Sequence, residues 1–317
     1  MALPSILRRV SLPVIGAPLF IVSTPKLVIA QCVSGIFGAM PALNARPASQ
    51  LDDWLAEITE SLAAHDAAHP DRPAAPFAIN QIVHRSNSRL DQDMAMCIKH
   101  KVPILITSLG ARPEINAAAH AYGGIVLHDV IDNRFAHKAI EKGADGLIAV
   151  AAGAGGHAGT RSPFALVQEI REWFDGPLAL AGAIATGDGV LAALAMGADL
   201  AYIGSAFIAT HEARASADYQ QAVVEASSDD IVTSSLFTGI SGNYLRASIV
   251  RAGLDPDALA DGNPGDMDFG GDGAKVWKDI WGCGQGVAAV KSVVSTGELV
   301  ERLRREFDAA LARLPGR

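Results

Sequence analysis

Along most of the chain a short apolar run is followed by a turn of small residues, then by a longer stretch whose apolar positions recur at helical spacing. The apolar runs fall at 12–20, 35–43, 76–83, 103–109, 124–130, 146–150, 178–184 and 200–207. Helical stretches follow them: 25–34 ends near Gly35, and the next, after Ser49 as N-cap, lines up Leu51, Trp54, Leu55, Ile58 and Leu62. Others are predicted at 90–100, 113–121, from Asp132 or Asn133 to Gly143, at 162–174, and at 188–196 with Gly197 at its end. Eight β-then-α units predict parallel strands joined by helical crossovers. The count favours a closed α/β (β/α)8 barrel, the TIM barrel, over an open doubly wound sheet.

The alternation breaks at His211. Residues 213–226 read as helix, 227–244 as mixed polar and turn-rich, and 255–275 as a loop dense in Asp and Gly. The expected organisation is a barrel from 1–210 together with 286–317, with 211–285 inserted as a smaller subdomain over the active-site face. A final helix from Thr296 places Leu299, Leu303, Phe307, Leu311 and Leu314 on one face, closing the outer layer.

A chain of 317 residues, half of them hydrophobic, suffices for one large barrel. The net charge of −8 argues against nucleic acid or an anionic membrane as partner. It does not argue against a small phosphate ligand, which backbone N–H groups can bind. Cys32, Cys97 and Cys283 are far apart and odd in number, so neither a disulfide framework nor a zinc site is expected. With no signal-peptide pattern and no long apolar span, a cytoplasmic location is the expectation.

The densest chemical signal is Gly146-Leu-Ile-Ala-Val-Ala-Ala-Gly-Ala-Gly-Gly-His-Ala-Gly159, a strand running into four glycines around His157. Glycine lets backbone approach a ligand closely. A loop histidine is ordinarily bonded to a nearby carbonyl, but this one lies at the carboxyl end of a barrel strand, where such folds do their chemistry. A neutral imidazole there can take a proton from carbon near pH 7. The spacing GxGxxxG, on the sixth strand, is not a dinucleotide fingerprint. Two later strands end in small residues, Gly182-Ala-Ile-Ala-Thr-Gly-Asp188 and Gly204-Ser-Ala206, in the order that suits a phosphate site. Asn80 interrupts the third strand and either meets a ligand edge or satisfies buried backbone. His128-Asp129 either lines the pocket or is structural. His65 and His69 suggest no third metal ligand, and the loop with Asp261, Asp266, Asp268 and Asp272 lacks EF-hand spacing. No metal is expected.

Ala154-Gly-Gly-His157, Ala181-Gly-Ala-Ile184 and Ile203-Gly-Ser205 together resemble the nitronate monooxygenase family, formerly called 2-nitropropane dioxygenases. The same motifs occur in FMN-dependent NAD(P)H:quinone reductases and enoyl reductases. The resemblance runs from Pro13 to about Thr210 and resumes at Trp277-Lys-Asp-Ile-Trp-Gly-Cys-Gly-Gln-Gly286, which includes Gln285. It implies a (β/α)8 flavoprotein with non-covalent FMN and His157 as catalytic base. Gly155 and Gly156 would lie against the flavin, with Asn80 binding it from the third strand. Gly182, Ala183, Gly204 and Ser205 would form the phosphate turns, and Ala17-Pro18-Leu19 the loop beside the ring.

The implied activity is oxidation of nitroalkanes or nitronates by O2; a quinone or enoyl reductase drawing on NAD(P)H is the alternative, and a homodimer is compatible with either. A flavin-free lyase or isomerase barrel that binds a phosphate ligand is a rival of another class. This chain departs from the family pattern where it has Gly153 for a glutamate, Val150 for a glutamine and Ala183 for a glycine. The stretch Thr238-Gly-Ile-Ser-Gly-Asn-Tyr-Leu-Arg246 resembles a branch of the family with poorly defined substrates.

Overall fold

The computed structural model describes residues 3–263 and 279–314. Its centre is a sheet of eight parallel strands: β1 (Val14–Gly16), β2 (Gly38–Pro41), β3 (Phe77–Ile82), β4 (Ile104–Ser108), β5 (Ile125–Val130), β6 (Gly146–Val150), then, after the two-residue β7 (Gly156–His157), β8 (Leu178–Ala181) and β9 (Leu200–Ile203). The spatial order is β1-β9-β8-β6-β5-β4-β3-β2. A parallel bridge between Ile15 and Phe37 joins the two ends, with Gly16 N donating to Phe37 O at 2.8 Å. The sheet is therefore a (β/α)8 barrel, as the eight-fold alternation implies.

The outer layer comprises α1 (Pro25–Val33), α2 (Gln50–Ala68), α3 (Leu90–Lys99), α4 (Pro113–Ala121), α5 (Asn133–Glu141), α6 (Pro163–Arg171), α7 (Gly187–Ala195) and the one-turn α8 (Ser205–Ile208). Further on come α9 (Ala217–Glu225), α10 (Arg246–Arg251) and α11 (Thr296–Arg313), with β10 (Ile231–Ser234) and β11 (Gly242–Leu245) between α9 and α10.

Strand alternation divides the core. Ile15, Phe37, Ala39, Ala78, Ile106, Leu127, Ile148, Ala179 and Leu200 fill the barrel, while Met40, Ile79, Leu105 and Val126 face the helices. Asp132 caps α5 by accepting from Phe135 N at 2.9 Å. Ser49 precedes α2 but makes no capping bond, because it is already helical at φ −59°. In α11, Leu299, Leu303 and Ala310 are buried and Phe307 packs against the core, but Leu311 is exposed, as is Leu314 just past the helix, so the predicted apolar face stops short of its last positions.

Two element readings change. The eighth apolar run stops at Ile203, and Ser205–Ile208 is helix, because the chain turns at Gly204. The stretch read as turn-rich holds β10 and β11, which pair antiparallel with each other; β11 also pairs with β7. Asp266, Asp268, Asp272 and Trp277 lie outside the described residues.

Candidate active site

The site begins where β6 ends. Gly153 and Gly156 take φ of +85° and +66°, a conformation that excludes most side chains. The chain then turns back into β7, which sets His157 opposite Gly242 and Gly156 opposite Asn243 of β11. Asn243, buried, donates from Nδ2 to Ala154 O at 2.6 Å and pins the loop. A Cβ on Gly155 would come within 2.8 Å of Gly284 N, so segment 282–286 lies directly against the loop. Gln285 N and Ala183 N both donate to Gly153 O, at 2.9 and 3.3 Å. Ser205 Oγ accepts from Gly284 N at 2.8 Å. The first loop closes this assembly: a Cβ on Gly204 would sit 3.3 Å from Leu19 Cδ2 and 3.5 Å from Ala17 Cβ. Gly155, Gly156, Gly182, Ala183, Gly204, Ser205, Gln285 and the loop Ala17-Pro18-Leu19, scattered in sequence, thus meet at one corner of the rim.

That corner fits an anion. Among the described residues, the N–H groups of Gly182 and Ile184 have no hydrogen-bond acceptor, and Ser205 adds a hydroxyl. The start of α7 is less suited, because Thr186 Oγ1 accepts from Gly189 N and Glu306 accepts from Gly187 N at 2.8 Å. Ala183 holds φ +54°, a left-handed conformation in which an alanine is strained where a glycine would not be. At position 153 the positive φ and the Ala183 Cβ, 3.2 Å from where a Cβ would stand, leave no room for the glutamate of the resembled pattern.

His157 is half-buried, and its Nε2 lies 3.0 Å from Thr238 Oγ1. The Thr238 hydroxyl donates to Ile240 O at 3.1 Å, so toward the imidazole it accepts. With the hydroxyl so turned, Nε2 is the donor and Nδ1 is the candidate base. Burial pushes the imidazole down to about 4, so it is neutral at ordinary pH. Thr238 was not picked out as a partner by its sequence, because 81 residues separate it from His157 and only the β7–β11 pairing brings them together.

The inner wall of the barrel mouth carries a polar chain. Asn80 Nδ2 donates to Ile106 O at 3.1 Å and to Ser108 Oγ at 2.7 Å, and Ser108 donates to Asp129 Oδ2 at 2.6 Å. Because a carbonyl only accepts, the Asn80 amide is fixed with Oδ1 as the atom it can offer a ligand. Asp129 Oδ1 is enclosed and has no partner among the described residues. Burial pushes this carboxyl up to about 7, against the lowering effect of the Ser108 hydrogen bond. Burial first, then the Asp129 charge, raises the Tyr202 phenol well above its ordinary value. His128, one residue earlier, has the opposite strand parity and bonds Thr107 Oγ1 at 2.6 Å, so of the His128-Asp129 pair only Asp129 belongs to the mouth.

Known proteins resemble this chain in sequence and in fold. The nitronate monooxygenase family model matches residues 7–260. A nitronate monooxygenase of Paraburkholderia phytofirmans is 26% identical, over 95% of this chain and 94% of that protein. Among solved structures, nitroalkane oxidase from Streptomyces ansochromogenes superposes with a TM-score of 0.80 at 22% identity, covering 98% of this chain and all (100%) of that one. FabK from Thermotoga maritima superposes with a TM-score of 0.77 at 22% identity, covering 98% and 96%. At that identity the two structures speak for the fold alone. The family match spans every strand of the barrel and the glycine loop around His157, so the chain belongs to the nitronate monooxygenase family of oxidoreductases.

Proposed function

We propose that the protein is an FMN-dependent enzyme that oxidises nitroalkanes or their nitronates with O2 to a carbonyl compound and nitrite. The observation that carries this reading is the neutral imidazole of His157, held by Thr238 beside a corner that suits a phosphate. FMN, when bound, supplies the electron transfer that ends at O2. Gly182, Ile184 and Ser205 hold its phosphate. Gly155, Gly156 and the loop Ala17-Pro18-Leu19 bound the space for its ring, and Asn80 offers Oδ1 to a ring N–H.

His157 Nδ1 removes the α-proton of a neutral nitroalkane, and Thr238 keeps the ring turned for that transfer. A substrate that arrives as the nitronate needs no proton removed, and His157 then orients it. The test compares His157→Asn with the unaltered protein on both substrate forms. The variant should retain FMN and lose at least about a hundredfold on the neutral nitroalkane, with a smaller loss on the nitronate. Equal rates on the nitroalkane rule out the base role. The alternative, an NAD(P)H-dependent quinone or enoyl reductase, is separated by anaerobic mixing with NADPH, where rapid bleaching of the flavin favours it.

A further inference from the structure

Beyond the glycine corner, the same first loop carries a feature the nitronate reaction does not use. Arg46, after β2, and Arg214, after α8, converge on residues 20–22. Arg46 lies over the Phe20 ring at 5.6 Å and donates from Nε to Leu43 O at 3.3 Å. Arg214 lies over Trp54 at 5.8 Å and donates from Nε to Ile21 O at 2.8 Å, while its own backbone N bonds Val22 O at 2.9 Å. Both side chains are exposed, and neither has a carboxylate partner among the described residues. The nearest acidic side chain in sequence, Glu212, is turned away onto Thr296 at 2.8 and 2.9 Å. The two guanidinium groups are close enough that Arg46, after burial, helps lower the Arg214 pKa.

The platform beneath them is rigid and strained. Ile21, a β-branched residue, holds φ +67°. It is gripped from both sides, by Asn44 Oδ1 on its N–H at 2.8 Å and by Arg214 on its carbonyl. Buried Asn44 also donates to Leu19 O and Ser23 O at 2.9 and 2.8 Å. Strain of this kind persists only where the surroundings over-determine it, and such places tend to be ligand clamps. Two unneutralised guanidinium forks in a chain of net charge −8 mark a place built for an anion.

We propose that Arg46 and Arg214 form a second anion site at the edge of the cleft, which binds a phosphate monoester carried by the substrate or by a nucleotide reductant. The planar forks suit a dianionic phosphate, and the aromatic faces of Phe20 and Trp54 hold the cations in place. The site adjoins the loop that bounds the cofactor corner, so it rests on that corner being the active site but not on the nitronate chemistry.

The test uses the full chain loaded with FMN. Inorganic phosphate, adenosine 2′,5′-bisphosphate and adenosine 3′,5′-bisphosphate are titrated at low salt by calorimetry. Binding of the 2′,5′ isomer assigns the site to a phosphorylated nicotinamide nucleotide, and binding of the 3′,5′ isomer to a phosphorylated thioester carrier. Either result supports the proposal, provided Arg46→Gln and Arg214→Gln each weaken binding about tenfold or more, keep their FMN, and lose the salt dependence. The proposal is overturned if none of the three probes binds, if both variants bind as the unaltered protein does, or if the variants lose FMN instead. A protein that binds a bisphosphate but does not oxidise nitronates keeps this site and loses only the reaction proposed above.

Discussion

Burial disfavours the cation of the His157 imidazole. Its folded pKa of about 4 lies below the ordinary 6.5, so between those values the unfolded chain binds a proton that the folded chain does not. Stability from this group is therefore full above about pH 6.5 and is lost as pH falls toward 4. The same shift has a kinetic consequence: the rate on a neutral nitroalkane should stay level from pH 8 down to about 5, measured as kcat against pH. A fall centred near 6.5 would show an ordinary, solvated imidazole.

Thr238→Val tests orientation separately. It should lower kcat on the nitroalkane with little change in KM or FMN content, because the Thr238 hydroxyl no longer helps hold the ring's orientation. Rescue by Thr238→Ser, which restores the hydroxyl, would confirm that the hydrogen bond matters. At Ala183, φ +54° costs about 1–2 kcal/mol, partly offset by the smaller unfolded-state entropy of alanine. Ala183→Gly should raise the unfolding free energy by up to about 1 kcal/mol in a urea titration, and Ala183→Val should lower it. Destabilisation by glycine would show that the left-handed turn is relaxed.

At the scale of elements, β11 is the less obvious organiser of the site. It pairs with β10 on one side and β7 on the other, and from it Asn243 reaches Ala154 while Tyr244 is fully buried beside it. Asn243→Ala leaves the Ala154 carbonyl without its donor and should cost about 1–3 kcal/mol. On the proposed reading, in which this loop bounds the flavin ring, FMN affinity should fall as well. Both are readable from one thermal denaturation series with and without added FMN. A variant that loses stability but binds FMN normally would place Asn243 outside the site.

The barrel strands and their order were legible from periodicity, since a buried parallel strand is a short run of apolar residues wherever it occurs. The β10–β11 pair was not. Its residues Thr233, Ser234, Gly242 and Asn243 carry no apolar alternation; Thr233 and Ser234 become strand by pairing with Asn243 and Gly242, which pair in turn with the distant two-residue segment Gly156–His157.

At the scale of the molecule, the cleft is assembled from the loops after β1, β6, β8 and β9, from Asn80 on β3 and from segment 282–286, so ligand binding should be linked to global folding. Saturation with FMN at a hundred times its dissociation constant should stabilise the chain by about 2.7 kcal/mol, seen as a concentration-dependent rise in Tm. No rise with FMN would contradict the cofactor assignment. Asp129 acts in the opposite direction to His157. Its folded pKa of about 7 exceeds the ordinary 3.8, so the folded chain holds a proton there that the unfolded chain has lost. Stability should decline as pH rises from about 4 to 7, and Asp129→Asn should remove that decline.

Composition and the eight-fold alternation determined the barrel, because each strand's fate depends on its own few residues and their neighbours. The local motifs also marked His157 and the glycine turns, since only glycine serves at the tightest of them. The tertiary structure alone decided that Thr238 stands beside His157, that Asp129 and not His128 faces the mouth, and that Arg46 and Arg214 meet on one loop. Each of these depends on a partner tens to hundreds of residues away, and a hydrogen bond or a shared charge field leaves no periodic trace in the chain.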